Sequence, residues 1–397
     1  MLASRLRRAF AARVAGVLAW LAPQGGISWA LRPVLRKVGL AQVLTSRSST
    51  TELLDRPDVR VPYRDRSAPL GLGGFALALD GEDHVAARKV LVEAIEGSAD
   101  AHAAGLEEAA ALAQGAVRDA GARVDAVRDL LEPALFVWAE RWFGLPRAGP
   151  DLLLTGRLVL HATFLNPKLP NARVDLSALR LAVDRLEGHR RELVTDMAQA
   201  PEGSLSATLL AAVHALPEER RPTDAAARAD LAARHLQGLT VGPLALVHRT
   251  VADAMDRLLR EPWRIDAAGD PDEAARAFLG ALRADPPLPG VLRTNPAECD
   301  VHGGSGIVTV PAGLVLAATA CPARRGDVDG PELAFGHGVH RCLGEQHTVA
   351  VATAVLGALA SRRPRRIWGP GGWLQPATAP SGVRDWPFSR GLRVALR

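Results

Sequence analysis

One segment, Phe335-Gly336-His337-Gly338-Val339-His340-Arg341-Cys342-Leu343-Gly344, constrains this chain more than any other. It places a cysteine in a loop with glycines at 336, 338 and 344 and a histidine two residues upstream. An apolar stretch, Thr348 to Leu359, follows. Cysteine sulfur acts as a ligand in its thiolate form, and a thiolate needs positive potential and hydrogen-bond donors around it. Gly336, Gly338 and Gly344 allow φ > 0 and a close approach of the main chain to a flat partner. A helix starting near Gly344 aims its first N–H groups back at the sulfur. The alternative is a buried structural cysteine, because unpaired cysteine often packs as a small apolar side chain.

The rest of the composition bounds what surrounds that loop. The chain has 397 residues, 48% of them hydrophobic, enough for one large core or two fused lobes. At 23% charged residues, global disorder is excluded. The net charge of +5 is carried by arginine: Lys37, Lys89 and Lys168 are the only lysines, so arginine supplies 45 of the 48 basic side chains. No basic run is interleaved with aromatics, which make up only 4%, so a base-stacking surface and a nucleic-acid partner are not expected. The arginine excess suits docking of an acidic partner. Cys299, Cys321 and Cys342 form no Cys-x-x-Cys, which argues against a zinc site. So sparse and odd a set suits a reducing compartment, and a cytoplasmic location is expected.

Arg5, Arg7, Arg8 and Arg13 precede the apolar run Val14 to Ala22, which is too short to span a bilayer. An amphipathic helix packing on the body of the protein is expected there, with peripheral membrane contact as the alternative. Further along, apolar residues recur at i, i+3, i+4 spacing over 82–97, 100–120, 124–143, 175–200 and 225–260, which predicts helices. Breaks fall at Gly144-Leu145-Pro146, Pro201-Glu202-Gly203, Pro217 and Pro262. Strand-like stretches are few, at 306–310 and 314–318. The pattern predicts a mainly α fold with a small β portion. No linker separates independent domains, so we expect a packing segment over 1–60 and a single body over 61–397.

The Cys342 segment matches Phe-Gly-x-Gly-x-His-x-Cys-x-Gly at all fixed positions, and in this it resembles the haem-thiolate loop of the cytochrome P450 family. The resemblance runs in order over roughly Val61 to Pro364. It implies a P450-like single-domain fold, haem b (iron-protoporphyrin IX) as cofactor, and Cys342 as the thiolate ligand of the iron. Phe335, Gly336, His340 and Gly344 are the cofactor-binding positions of that loop. Asp80-Gly81-Glu82-Asp83-His84-Val85-Ala86-Ala87-Arg88 resembles the family's helix that meets the haem from the N-terminal side. His84 and Arg88, four apart, share one face and suit a propionate. Arg293, after Arg283-Ala284-Asp285-Pro286-Pro287-Leu288, matches a position that binds the second propionate, joined by His340. Charged partners there offset the desolvation of two carboxylates.

The helix over 225–260 resembles the family's central helix across the distal face of the haem, with Val241-Gly242-Pro243-Leu244-Ala245-Leu246 over the iron. Gly242 stands where the family keeps a small residue for oxygen. Pro243 removes a helix hydrogen bond, and a kink that widens a ligand groove is expected. The family places an acid and a threonine where this chain has Leu244 and Ala245, and neither can donate a proton. Thr240, His248 and Arg249 are the nearest polar candidates for that work. The Glu-x-x-Arg motif is broken too: Arg283 is present, but Gly280 stands three residues before it. A buried Arg283 then needs another acceptor. The stretch Ala320 to Gly330 replaces a longer one that normally precedes the cysteine loop.

The resemblance implies a monooxygenase-like oxidation of a small hydrophobic molecule in specialised metabolism, with electrons from a ferredoxin-type donor. Phe75, Leu77, Phe164, Leu165, Leu239 and Leu288 are candidates for lining the substrate chamber. A peroxide-dependent or redox-neutral haem-thiolate enzyme is the alternative the missing relay favours. A degenerate scaffold or activator of a partner enzyme is the alternative the broken Glu-x-x-Arg favours. A haem-based gas sensor lacks a fused output domain.

Overall fold

The structure, a computed structural model, describes residues 41–44, 46–72, 74–145, 148–163, 176–284, 286, 288, 290–303, 306–318, 333–367, 375–378 and 384–396. The N-terminal run Val14 to Ala22, Phe164, Leu165, Cys321 and the stretch Ala320 to Gly330 lie outside the described residues.

In chain order the described elements are β1 (Gln42–Leu44), α1 (Arg47–Asp55), α2 (Tyr63–Ser67), α3 (Gly81–Gly97), α4 (Ala99–Asp119) and β2 (Arg123–Asp125). A π-helical turn (Ala126–Leu131) leads into α5 (Glu132–Phe143), followed by α6 (Pro150–Thr163), α7 (Leu176–Met197), α8 (Leu205–His214) and α9 (Ala225–Leu258). Then come α10 (Pro262–Ala267), α11 (Pro271–Ala284), β3 (Gly290–Asn295), β4 (Cys299–Gly303), β5 (Gly306–Val310) and β6 (Gly313–Ala318). After them lie α12 (Glu345–Ala360), β7 (Arg365–Arg366), β8 (Gln375–Thr378), β9 (Arg384–Gly391) and β10 (Arg393–Ala395). The mainly α class with a small β portion is therefore what the chain adopts.

Two compact units emerge. The smaller one joins the described part of the N-terminal segment to residues 283–342. Its sheet has the order β1-β6-β3, with β1 parallel to β6 (Gln42 beside Val315) and β3 antiparallel to it (Arg293 beside Val315). β4 and β5 form a hairpin in which Cys299 faces Val310. Ser46 caps α1 by accepting the Ser49 N–H at 3.3 Å. The apolar side of α1, Leu53 and Leu54, packs with Leu44, Val59, Val301, Val310, Val315 and Ala317 into one core. Residues 41–60 thus share a core with the strands after residue 290.

The larger unit is helical. α9 is its axis: from Ala232 to Leu258 most of its side chains are buried, so its apolar residues run nearly all round the helix. Asp224 caps it by accepting the Ala227 N–H at 2.7 Å. The helix continues unbroken through Pro243, which lacks the N–H that would reach the Leu239 carbonyl.

One predicted helix needs correction. The run 124–143 does not start as a helix: Val124 lies in β2, paired with β10 in a sheet of order β2-β10-β7. Asp125 explains the switch. Its Oδ1 accepts the N–H groups of Val127 and Arg128, starting the π turn, and also the Leu392 N–H. Among the described residues no helix is long and apolar enough to cross a membrane.

Candidate functional site

In the smaller unit, the cysteine loop is held mostly by its own main chain. Gly336 and Gly338 adopt φ of 76° and 65°, the left-handed region that a side chain resists. The Cys342 N–H donates to the Phe335 carbonyl at 2.8 Å, and the Arg341 N–H donates to the Gly338 carbonyl at 3.0 Å. These bonds close the loop and leave Cys342 exposed. His340 is half-buried in the short 3-10 turn before it. Gly344, which belongs to the larger unit, takes the N-cap position of α12, its carbonyl accepting the Thr348 N–H. Arg293, in the middle of β3, is only 5% exposed and donates from Nη1 to the Leu292 carbonyl at 2.9 Å. Arg283 is exposed, so the expected cost of burying it without its acid does not arise. Leu288 is half-buried.

In the larger unit, His84 is buried in the first turns of α3, with Arg88 half-buried one turn on. His84 Nδ1 lies 2.9 Å from the Ala76 carbonyl, and since a carbonyl only accepts, the proton sits on Nδ1. Phe75 packs against α9 at Gly238, its ring centroid 6.4 Å from that of His235. Burial pushes His235 down to about 4, so it is neutral at ordinary pH. Leu77 is half-buried.

α9 shows one partly accessible stripe through its middle: Gly238, Leu239, Gly242, Pro243 and Leu246. Gly242 lies on it, as does Leu239. Leu244 and Ala245 lie off it, at 1% and 0% exposure. Val241 and Ala245 instead meet Gly156 of α6, where the two helix backbones touch. On the accessible face the residue one turn after Gly242 is therefore Leu246. A step of one residue rotates a side chain by about 100°.

The polar candidates nearby are engaged elsewhere. Thr240 is buried and donates back to the Leu236 carbonyl at 2.9 Å. Arg249 pairs with Asp253 at 3.2 Å. His248 Nε2 sits 3.1 Å from Glu132 Oε1 on α5. Burial holds His248 below its ordinary value against the opposing pull of that carboxylate.

Sequence reasoning missed two features. Leu246 was included in the run over the iron but not singled out from it, because the register of α9 decides which side chains face outward. Asp55, at the end of α1, was missed because it meets the cysteine loop only in space: its Oδ2 lies 3.0 Å from His337 Nε2.

No family model and no curated protein matches the chain. Solved structures do. The open form of cytochrome P450 EryK from S. erythraea superposes with a TM-score of 0.67 at 19% identity, over 92% of this chain and 94% of that one. The ligand-free structure of CYP164A2 from Mycobacterium smegmatis gives 0.70 at 20% identity, over 92% and 94%. P450BioI, solved in complex with hexadec-9Z-enoic acid ligated acyl carrier protein, gives 0.68 at 16% identity, over 93% and 98%. The chain has the cytochrome P450 fold.

Proposed function

We propose that this chain is a haem-thiolate oxidoreductase that oxidises a small hydrophobic molecule, with Cys342 as the iron ligand of haem b. The observation that carries the reading is an exposed Cys342 in an intact glycine loop within the P450 fold. The residues present fit the cofactor. Cys342 is exposed, and its loop is closed by backbone bonds independent of any ligand. In this reading His84 and Arg88 would donate to one propionate, and Arg293 with His340 to the other. When bound, haem supplies one-electron chemistry and the activation of dioxygen or peroxide. Electrons from a ferredoxin-type donor and a cytoplasmic location belong to the same reading. The deciding experiment is the absorption spectrum of the purified, reduced protein under carbon monoxide. Failure to take up supplied haem would favour a scaffold.

Arg293 gives a graded test. Arg293→Ala removes charge-assisted hydrogen bonds worth about 1.5–3 kcal/mol each, so haem should leave the variant roughly tenfold or more faster. Haem release is followed by transfer to an excess of apomyoglobin. Release at the parental rate would remove Arg293 from the propionate set.

One observation favours the peroxide-dependent form of this activity. The accessible stripe of α9 consists of Gly238, Leu239, Gly242, Pro243 and Leu246, none with a side-chain proton donor. Protons at that face must come from water, from the substrate or with the oxidant. General-acid help is typically worth about 10²–10⁴-fold, so its lack is measurable. Turnover with reductant and dioxygen should be slow and lose reducing power as hydrogen peroxide, while turnover with added peroxide should be comparable or faster. Tight coupling with no response to peroxide would rule this form out.

A further inference from the structure

The cysteine loop has an anchor that the sequence did not announce. Asp55 closes α1, and its Oδ2 meets His337 Nε2 at 3.0 Å. A carboxylate accepts, so the Nε2–H of His337 donates. The ring's other nitrogen, Nδ1, is buried and has no hydrogen-bond partner among the described residues, so within them the Asp55 contact is what fixes the ring by hydrogen bonding. The next residue repeats the contact through the main chain. A Cβ placed on Gly338 would stand 2.8 Å from Asp55 Oδ1 and 3.2 Å from the Leu54 carbonyl oxygen, so the end of α1 lies directly against the loop. Behind Asp55, Leu53 and Leu54 are fixed in the core with Val301, Val310, Val315 and Ala317. Ahead of it, the Arg341 and Cys342 amides close onto Gly338 and Phe335. Gly280 stands where an acid would otherwise sit three residues before Arg283, and Arg283 is exposed.

We propose that the Asp55–His337 pair is the brace of the cysteine loop, with both residues positioning Cys342 for its ligand. This rests on the haem-thiolate reading for its purpose and on the fold alone for its geometry. Exposed ion pairs add little to global stability. The pair's work is local: it ties a glycine-rich loop, which loses much chain entropy on ordering, to a helix already held by a core.

The test starts with the haem-free full-length protein and amide hydrogen exchange over residues 336–342. Asp55→Ala and His337→Ala should each speed exchange of the Arg341 and Cys342 amides by about tenfold, the equivalent of one charge-assisted hydrogen bond. The thermal midpoint should stay near the parental value. The double variant should exchange no faster than either single one, since one contact is lost only once. In the haem-loaded protein, both variants should release haem faster and show a larger share of the reduced carbon monoxide complex without the thiolate band. Parental exchange in either variant, or effects that add in the double variant, would overturn the brace. If the parental protein takes up no haem, the functional reading fails and the exchange arm still decides the brace.

Discussion

On the haem-thiolate reading, replacing Cys342 by serine should remove the thiolate-type carbon monoxide spectrum while leaving the fold in place. The two side chains are nearly the same size, and Cys342 is exposed, so no cavity forms and no packing is lost. The loop is closed by the Phe335 carbonyl and the Cys342 N–H, which the substitution keeps. Only the donor atom changes. A thiol near pKa 8.5 ionises readily beside donors and a metal, whereas an alcohol does not ionise at all in this range. The serine variant should therefore match the parent in circular dichroism and thermal midpoint. Its reduced carbon monoxide complex should lack the red-shifted Soret band that a sulfur ligand produces. A variant that keeps this band would show that another residue ligates the iron.

Gly156→Ala should be the most destabilising single methyl in the helical unit. A Cβ at that position would stand 2.0 Å from the Val241 carbonyl oxygen and 2.9 Å from the Ala245 Cβ. Neither obstacle is the flexible end of a side chain. Relief requires α6 and α9 to separate, which opens the packing around buried Leu153, Leu160 and Leu244. Overpacking of this kind costs about 1–3 kcal/mol and more where backbones collide, so the loss should lie at or above the top of that range. Gly188→Ala in α7 is the control. Its Cβ meets nothing within 4 Å, and helix propensity should stabilise it by up to about 1 kcal/mol. Denaturant unfolding of the two variants separates the effects. Equal midpoints would mean that α6 and α9 do not touch at Gly156. The same contact bears on the proposed lack of a proton relay, because Ala245→Thr adds two atoms to a fully buried site against α6. Leu246, on the accessible stripe, is the position where a hydroxyl fits.

What was legible in the sequence was what is local. The loop around Cys342 writes its requirements into adjacent residues, and the left-handed backbone of Gly336 and Gly338 follows from them. α9 was legible because its capping aspartate and apolar recurrence lie within one segment. Its facing was not, since a period of 3.6 residues leaves neighbours such as Ala245 and Leu246 ambiguous until α6 is placed against one of them. β3 was suggested only by the family resemblance at Arg293-Thr294, because Gly290-Val291-Leu292-Arg293-Thr294-Asn295 alternates poorly and owes its form to β6. Asp125 turned an expected helix into a strand and a π turn through a bond to Leu392, far along the chain. Asp55 and His337 are separated by 282 positions, and no spacing rule connects them.

That separation has a consequence for how the molecule is made. The hydrogen bonds between Glu52 and His302 span 250 positions, and the parallel pairing of β1 with β6 joins the same two stretches. Contacts this distant along the chain require a long loop to close before they return any free energy, so they form slowly and late. During synthesis, most of the helical segments emerge from the ribosome before the strands that complete the small sheet. In the interval Leu53 and Leu54 lack Val301, Val310, Val315 and Ala317, the strand part of their core, and that side of α1 is open to chaperones and to other nascent chains. The foundation of the cysteine loop is thus among the last parts of the protein to mature, and any cofactor capture that depends on it is a post-translational event.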